Sequence, residues 1–340
     1  MTGKLNLIAV GGCGTNVVAS IYPRLKELGE GFSDVTCSFI DSTEKTIQAY
    51  PEYEDRFFKI TSSSASSKGL DGTGGERKSK ENIAHMNKSV REFLDNGVSK
   101  NLNDYYVIVS SGSGGTGSSA GVLLLKAMLE QDYTVITVTV GDSSSYLALN
   151  NTINTITSIQ GVALKSKKAV SNIYYSNTIG GVTSPKTEAE VNEKIFKMLS
   201  VISMFISGSI QNIDHQDMIN FFRPDKYQSF RTAPGIYSLG VAVGELVDES
   251  VILVRTIISE DTKDINMTIT PQQSKTGTIT TNYDRFGTYP LFLTQRRGVL
   301  NAEVAYLKEE LERIEAIKNA KYDSFDALDD AELDEFGMAL

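Results

Sequence analysis

Two short apolar runs, Val107-Ile108-Val109 and Val135-Ile136-Thr137-Val138, constrain the fold more than any other feature. A strand with one face in water alternates apolar and polar residues, whereas runs this uniform belong to strands covered on both faces, as in a parallel sheet. Leu5–Val10, Val35–Ile40, Tyr105–Ser110 and Tyr133–Val140 are four such strand candidates, rich in β-branched or aromatic residues and separated by Gly-rich turns and longer helical stretches. The alternation predicts an α/β fold with an open parallel sheet, whose ligands bind at the carboxyl ends of the strands.

The rhythm changes in the second half. Val191, Ile195, Met198, Leu199, Ile202 and Ile206 recur at helical spacing and predict a long helix from about Glu188 to Gly208. Ile236–Val243, Val251–Ile258, Gly277–Asn282 and Tyr289–Gln295 read as four strands, enough for a second, smaller sheet. A charged helix follows over Ala302–Lys321, with Glu/Lys pairs at exposed spacing. The serine-rich stretch Thr61–Lys68 and the acidic end of the chain read as poor in regular structure.

Charge and cysteine usage exclude several classes. The net charge is −9, but Tyr322–Leu340 holds seven acids and no Lys or Arg, so the remainder carries 33 basic against 35 acidic residues, about −2. No clustered basic surface is expected, and hence no direct nucleic-acid binding. No stretch of eighteen apolar residues predicts a membrane span, and the start reads as a strand rather than a signal peptide. Cys13 and Cys37 have no metal or redox spacing and suit a reducing cytoplasm; His85 and His215 are too few for a multi-histidine metal site.

Three glycine clusters carry the chemistry. Gly11-Gly12-Cys13-Gly14-Thr15-Asn16 follows the first strand, where glycines let backbone amides approach a phosphate and the next helix adds partial positive charge. The dinucleotide fingerprint would need glycine at 17, which is Val17. Gly112-Ser113-Gly114-Gly115-Thr116-Gly117 has the spacing of a P-loop, but Ser118 stands where the lysine belongs. What remains is a loop that holds phosphates by amides and hydroxyls alone. Gly69–Lys78, with Gly74 at its centre, adds flexible backbone and two cations.

The loop 112–117 resembles the glycine-rich signature loop of the tubulin/FtsZ superfamily, with Ser113 in place of one family glycine. Gly11–Asn16 is similar to that family's first phosphate loop, and Asn212-Ile213-Asp214-His215-Gln216-Asp217 to its Asn-x-Asp-x-x-Asp catalytic loop. Within the superfamily the phage tubulins are most similar, on Gly-Thr-Gly-Gly-Glu-Arg-Lys at 72–78, Thr294–Arg297 and Asp-Glu-Phe-Gly-Met at 334–338. The resemblance spans nearly the whole chain. It implies a GTP-binding domain over 1–185, a central helix over 186–211, a C-terminal activation domain over 212–298, a helix over 299–321 and an acidic interaction tail over 322–340. It further implies GTP and Mg²⁺ as ligands, Asn192 and Asn177 as base or ribose contacts, and Asp214, Asp217 and Asn212 as the hydrolytic group, with no metal ligand assigned to the protein.

Twenty-two residues separate Asn192 from Asp214, about 30 Å if helical throughout, which is longer than a nucleotide. Asp214 and Asp217 are therefore expected to act on GTP held by a second copy of the chain, stacked head-to-tail into a filament. An Asp-x-x-Asp is also what an ordinary helix N-cap looks like, and His215 between the two acids is expected to face solvent. Phe325, Leu328, Leu333, Phe336, Met338 and Leu340 interleave with the tail acids, which suits docking on a basic, partly apolar groove, and the resemblance implies that this groove is on the adjacent subunit. The expected role is a polymerising GTPase that positions phage DNA or the replication compartment in the host bacterial cytoplasm. A plasmid-partition or division filament, or a non-polymerising Rossmann-type nucleotide enzyme, are the alternatives.

Overall fold

The computed structural model of the 340-residue chain describes residues 3–60, 80–178, 182–226, 234–243, 252–258, 273–277 and 291–329. Gly74 and Thr61–Lys68 lie outside them, as do residues 330–340 of the acidic tail. Ten strands form one sheet: β1 (Leu5–Val10), β2 (Val35–Asp41), β3 (Phe57–Lys59), β4 (Tyr105–Ser111), β5 (Thr134–Gly141), β6 (Ala169–Ser176), β7 (Gly235–Val243), β8 (Ile252–Ile258), β9 (Gln273–Gly277) and β10 (Leu291–Arg297). Their spatial order is β3-β2-β1-β4-β5-β6-β7-β10-β8-β9, and every pairing from β3 to β7 is parallel.

The helices are α1 (Gly11–Lys26), α2 (Lys80–Gly97), α3 (Gly115–Glu130), α4 (Tyr146–Ser166), α5 (Pro185–Ile206), α6 (His215–Phe222) and α7 (Val299–Asp329). Every residue of β4 and β5 is buried. Alternate β-strand side chains enter two separate cores: Leu7, Ala9, Val107 and Val109 join α1 and α5 on one face, and Ile8, Val10, Tyr106 and Ile108 join α2, α3 and α4 on the other. The uniform apolar runs are thus the two-sided burial of parallel strands.

Three expectations are corrected. The C-terminal strands extend the first sheet rather than forming a separate one, because β7 pairs with β6 over four residues, Ala169↔Gly235 to Asn172↔Ser238. The third of them is Gln273–Gly277, so of the expected Gly277–Asn282 only Gly277 is in a described strand. Finally, α7 runs eight residues past Lys321 into the segment read as unstructured, since no Gly or Pro interrupts 299–329. α5 begins at a Ser184–Thr187 capping box with Pro185 in its first turn, and ends at Ile206.

Candidate functional site

Two long helices start at the same place. α1 begins straight after β1 and α3 just after β4, and neither has a side-chain N-cap hydrogen bond, unlike α4, α5 and α6. The first amides of a helix lack intrahelical acceptors, and the aligned peptide dipoles make that end attractive to anions. Both ends open on a cavity of about 270 Å³ lined by Gly11, Gly12, Cys13, Gly114, Gly115, Thr116 and Gly117. Two wider grooves, about 440 Å³ beside α3 and α4 and about 630 Å³ along α5, have no such convergence of helix ends.

The glycines divide by task. A Cβ at Gly14 would collide with the Val109 carbonyl, and one at Gly117 would sit 2.9 Å from Ser111 N, so these two let α1 and α3 close on the sheet. Gly11 adopts φ +72°, and its Cβ would lie 2.9 Å from Gly117 N, which brings the two loops together. Gly12 and Gly114 instead have side chains as their nearest obstacles, Thr46 Oγ1 at 3.1 Å and Ser111 Cβ at 3.3 Å.

Hydroxyls set the shape of the 112–117 loop. Ser111 Oγ accepts from the amides of Ser113 and Gly114 at 3.1 and 3.0 Å. The Gly112 carbonyl accepts from Thr155 Oγ1 at 2.7 Å, and the Ser113 carbonyl from Asn151 Nδ2 at 3.3 Å. The end of β2 completes the wall with Asp41, Ser42, Thr43 and Thr46, and Ser42 Oγ lies 2.8 Å from Thr116 Oγ1. Sequence reasoning missed this stretch. Its signal was an Asp-Ser-Thr at the carboxyl end of a strand beside β1, where this sheet class binds ligands.

Burial above all, with Glu188 and Asp142 acting in the same direction, pushes the Cys13 thiol up to about 12, so it is a neutral wall rather than a nucleophile. The same proximity places the start of α5 beside α1. Asn192, half-buried, is one turn beyond Glu188 on that helix. Asn16 accepts from the Tyr50 hydroxyl at 3.3 Å. Asn177 follows β6, donates its amide to the Gly141 carbonyl at 2.8 Å, and keeps a buried Oδ1 without a protein partner.

Asn212, Asp214 and Asp217 are not in this cavity. Asn212 holds a left-handed φ of +67°, which asparagine tolerates better than most residues. Asp214 caps α6, and Asp217 completes the capping box. α6 packs at the amino ends of the strands: Tyr105, the first residue of β4, meets Phe222 and His215 edge-on at 5.4 and 5.7 Å. His215 is therefore half-buried against the sheet, not solvent-facing, with Nδ1 3.3 Å from the Tyr105 hydroxyl. β4 is seven residues long, so Tyr105 and Ser111 stand about 20 Å apart along it. Between Asn192 and Asp214 only the residues to Ile206 are in the helix, about 21 Å of rise, and the chain then turns beneath the sheet.

The family model described as Tubulin/FtsZ family, GTPase domain, matches residues 4–179, just over half of the chain. A phage tubulin-like protein of Pseudomonas phage 201phi2-1 is 24% identical over 223 residues, 66% of this chain and 62% of that one. The chain spans about three fifths of the length of the curated relatives it matches. Among solved structures, the phage tubulin PhuZ with GDP superposes with a TM-score of 0.74 at 20% identity, and a PhuZ201 filament with 0.73 at 18%, each covering 99% of both chains. With two helix ends converging on one glycine-lined cavity and a family match over residues 4–179, the chain belongs to the Tubulin/FtsZ family through its GTPase domain.

Proposed function

We propose that the protein is a filament-forming GTPase whose site is divided between two copies of the chain. The observation that carries this reading is the placement of the phosphate cavity and the Asp214–Asp217 pair at opposite ends of β4. GTP would lie with its phosphates on the α1 and α3 amides and its base toward Asn177 and Asn192. Gly74 of the third glycine cluster would be a further contact to the nucleotide. Asp214, Asp217 and Asn212 of the next subunit would meet the γ-phosphate from below, where the two carboxylates orient the attacking water. When bound, Mg²⁺ supplies charge neutralisation; Asp41, Ser42 and Thr116 offer the oxygen ligands it takes, beside the phosphates and water.

A heterologous contact that leaves its second face open propagates, so hydrolysis and assembly become one event. The filament formed by PhuZ201 supports this reading, as does the GDP held by PhuZ. The acidic tail would dock on the adjacent subunit. The relatives from Pseudomonas phages support a role in positioning phage DNA or the replication compartment within the host bacterial cytoplasm. Among the described residues no helix is long and apolar enough to cross a membrane. GTPase activity per subunit should rise steeply with protein concentration, and calorimetry should find GTP bound far better than ATP. Constant activity per subunit at all concentrations would refute the divided site.

A further inference from the structure

We propose that Arg223 is a positioning residue for the hydrolytic acids, its guanidinium pinning α6 to the starts of β5 and β6. The inference rests on the divided-site reading above and names what orients the half of that site contributed from below.

Arg223 immediately follows α6 and is 1% exposed. Its Nε and Nη2 grip Asp225 at 3.0 and 2.8 Å, Nη2 also reaches Asp132 Oδ1 at 3.0 Å, and Nη1 donates to the Tyr133 carbonyl at 3.1 Å. Tyr133 and Asp132 directly precede β5. Asp225 Oδ1 also accepts the amide of Ala169, the first residue of β6, at 3.2 Å. Asp132 holds a left-handed φ of +67° and takes Lys168 and Lys226 at 2.8 and 2.9 Å as well. Burial alone would raise the Asp132 pKa, but these cations hold the carboxyl well below the ordinary range.

This network has a purpose that bare stability does not explain. A buried ion pair adds little net stability over apolar residues of the same size. A guanidinium fork, however, fixes direction as well as distance. α6 has only eight residues, too few to hold its own place, and Asp214 at its start is exposed. The acids can be aimed at a neighbouring molecule only if the helix carrying them is fixed to the sheet. Tyr105 fixes its first residue and Arg223 its end, at three adjacent strands.

The test uses the full-length protein with Arg223→Lys, which keeps the charge but loses the fork, and Asp225→Asn, which weakens it. Both should bind GTP within about twofold of wild type, while kcat in assembled protein, measured at a temperature where every variant is fully folded, falls about tenfold to 100-fold. Mixing Arg223→Lys with Gly114→Ala, which is expected to fold but bind GTP weakly and keeps an intact α6, should restore turnover toward the wild-type value. Wild-type kcat in Arg223→Lys would overturn the assignment, as would a kcat that falls only in step with melting temperature and GTP affinity. Failure of the divided site itself is read separately, from concentration-independent activity of the wild type.

Discussion

Asp214 and Asp217 cap one another. Asp214 Oδ1 accepts the Asp217 amide at 2.8 Å, and Asp217 Oδ2 accepts the Asp214 amide at 3.1 Å. The N-cap and the hydrolytic reading are therefore compatible: the box fixes the two carboxylates that the proposed reaction would use.

That pairing decides which substitution separates the two roles. Asp217→Ala removes a capping partner as well as a charge, with a stability loss of about 1 kcal/mol. Asp217→Asn keeps an acceptor and removes only the charge. It should melt like wild type, bind GTP normally, assemble, and leave long-lived filaments that retain GTP. Normal phosphate release by Asp217→Asn filaments would remove this carboxylate from the reaction.

The two kinds of loop glycine should respond differently. Gly114 has φ −69° and ψ 153°, which any residue adopts, and its Cβ would meet nothing closer than 3.3 Å. Gly114→Ala should fold normally yet lose about tenfold or more in GTP affinity, as a methyl enters the phosphate cavity. Gly117→Ala presses on Ser111 and should destabilise the protein by about 1–3 kcal/mol. Calorimetric titration and thermal melts distinguish the two, and equal behaviour would contradict the division.

His215 should give folding stability an acid limit. Burial lowers its pKa, while Asp104 and Asp214 pull in the opposite direction. Between that depressed value and the ordinary one near 6.5, the unfolded chain binds a proton that the folded chain refuses, so stability falls as pH drops through the window. Its buried Nε2 has no protein partner. From about pH 7 to about 5.5 the wild type should lose more melting temperature than His215→Gln. Identical pH profiles would place the proton elsewhere.

The tail can now be cut at a structural boundary. α7 reaches Asp329, and four of the seven tail acids (Asp330, Glu332, Asp334 and Glu335) lie beyond it. Deleting 330–340 should raise the critical concentration for assembly several-fold. Added salt should weaken wild-type assembly more than that of the deletion. An unchanged critical concentration, measured by light scattering, would free the tail of any role in stacking.

Much of the fold is legible because burial writes itself into composition. Val107–Val109 and Val135–Val138 announce two-sided strands, and the recurrence from Val191 to Ile206 announces α5. The glycine loops are legible because only glycine allows the close approaches found at Gly11, Gly14 and Gly117. Other features arise between distant segments. Arg223 and Asp132 are 91 residues apart, and nothing near either signals the pairing. The burial of His215 depends on Tyr105, 110 residues earlier. The joining of β7 to β6 rests on edge hydrogen bonds, which any strand sequence can make.

The run of parallel strands from β3 to β7 also has a mechanical meaning. In the proposed stack, each subunit would be gripped at the carboxyl ends of these strands from above and at their amino ends from below. Tension along such a polymer travels down the covalent backbones. The hydrogen bonds between strands then meet the load in shear, many at once, rather than opening one after another like a zipper. A subunit arranged this way should resist pulling along the filament far better than pulling across it.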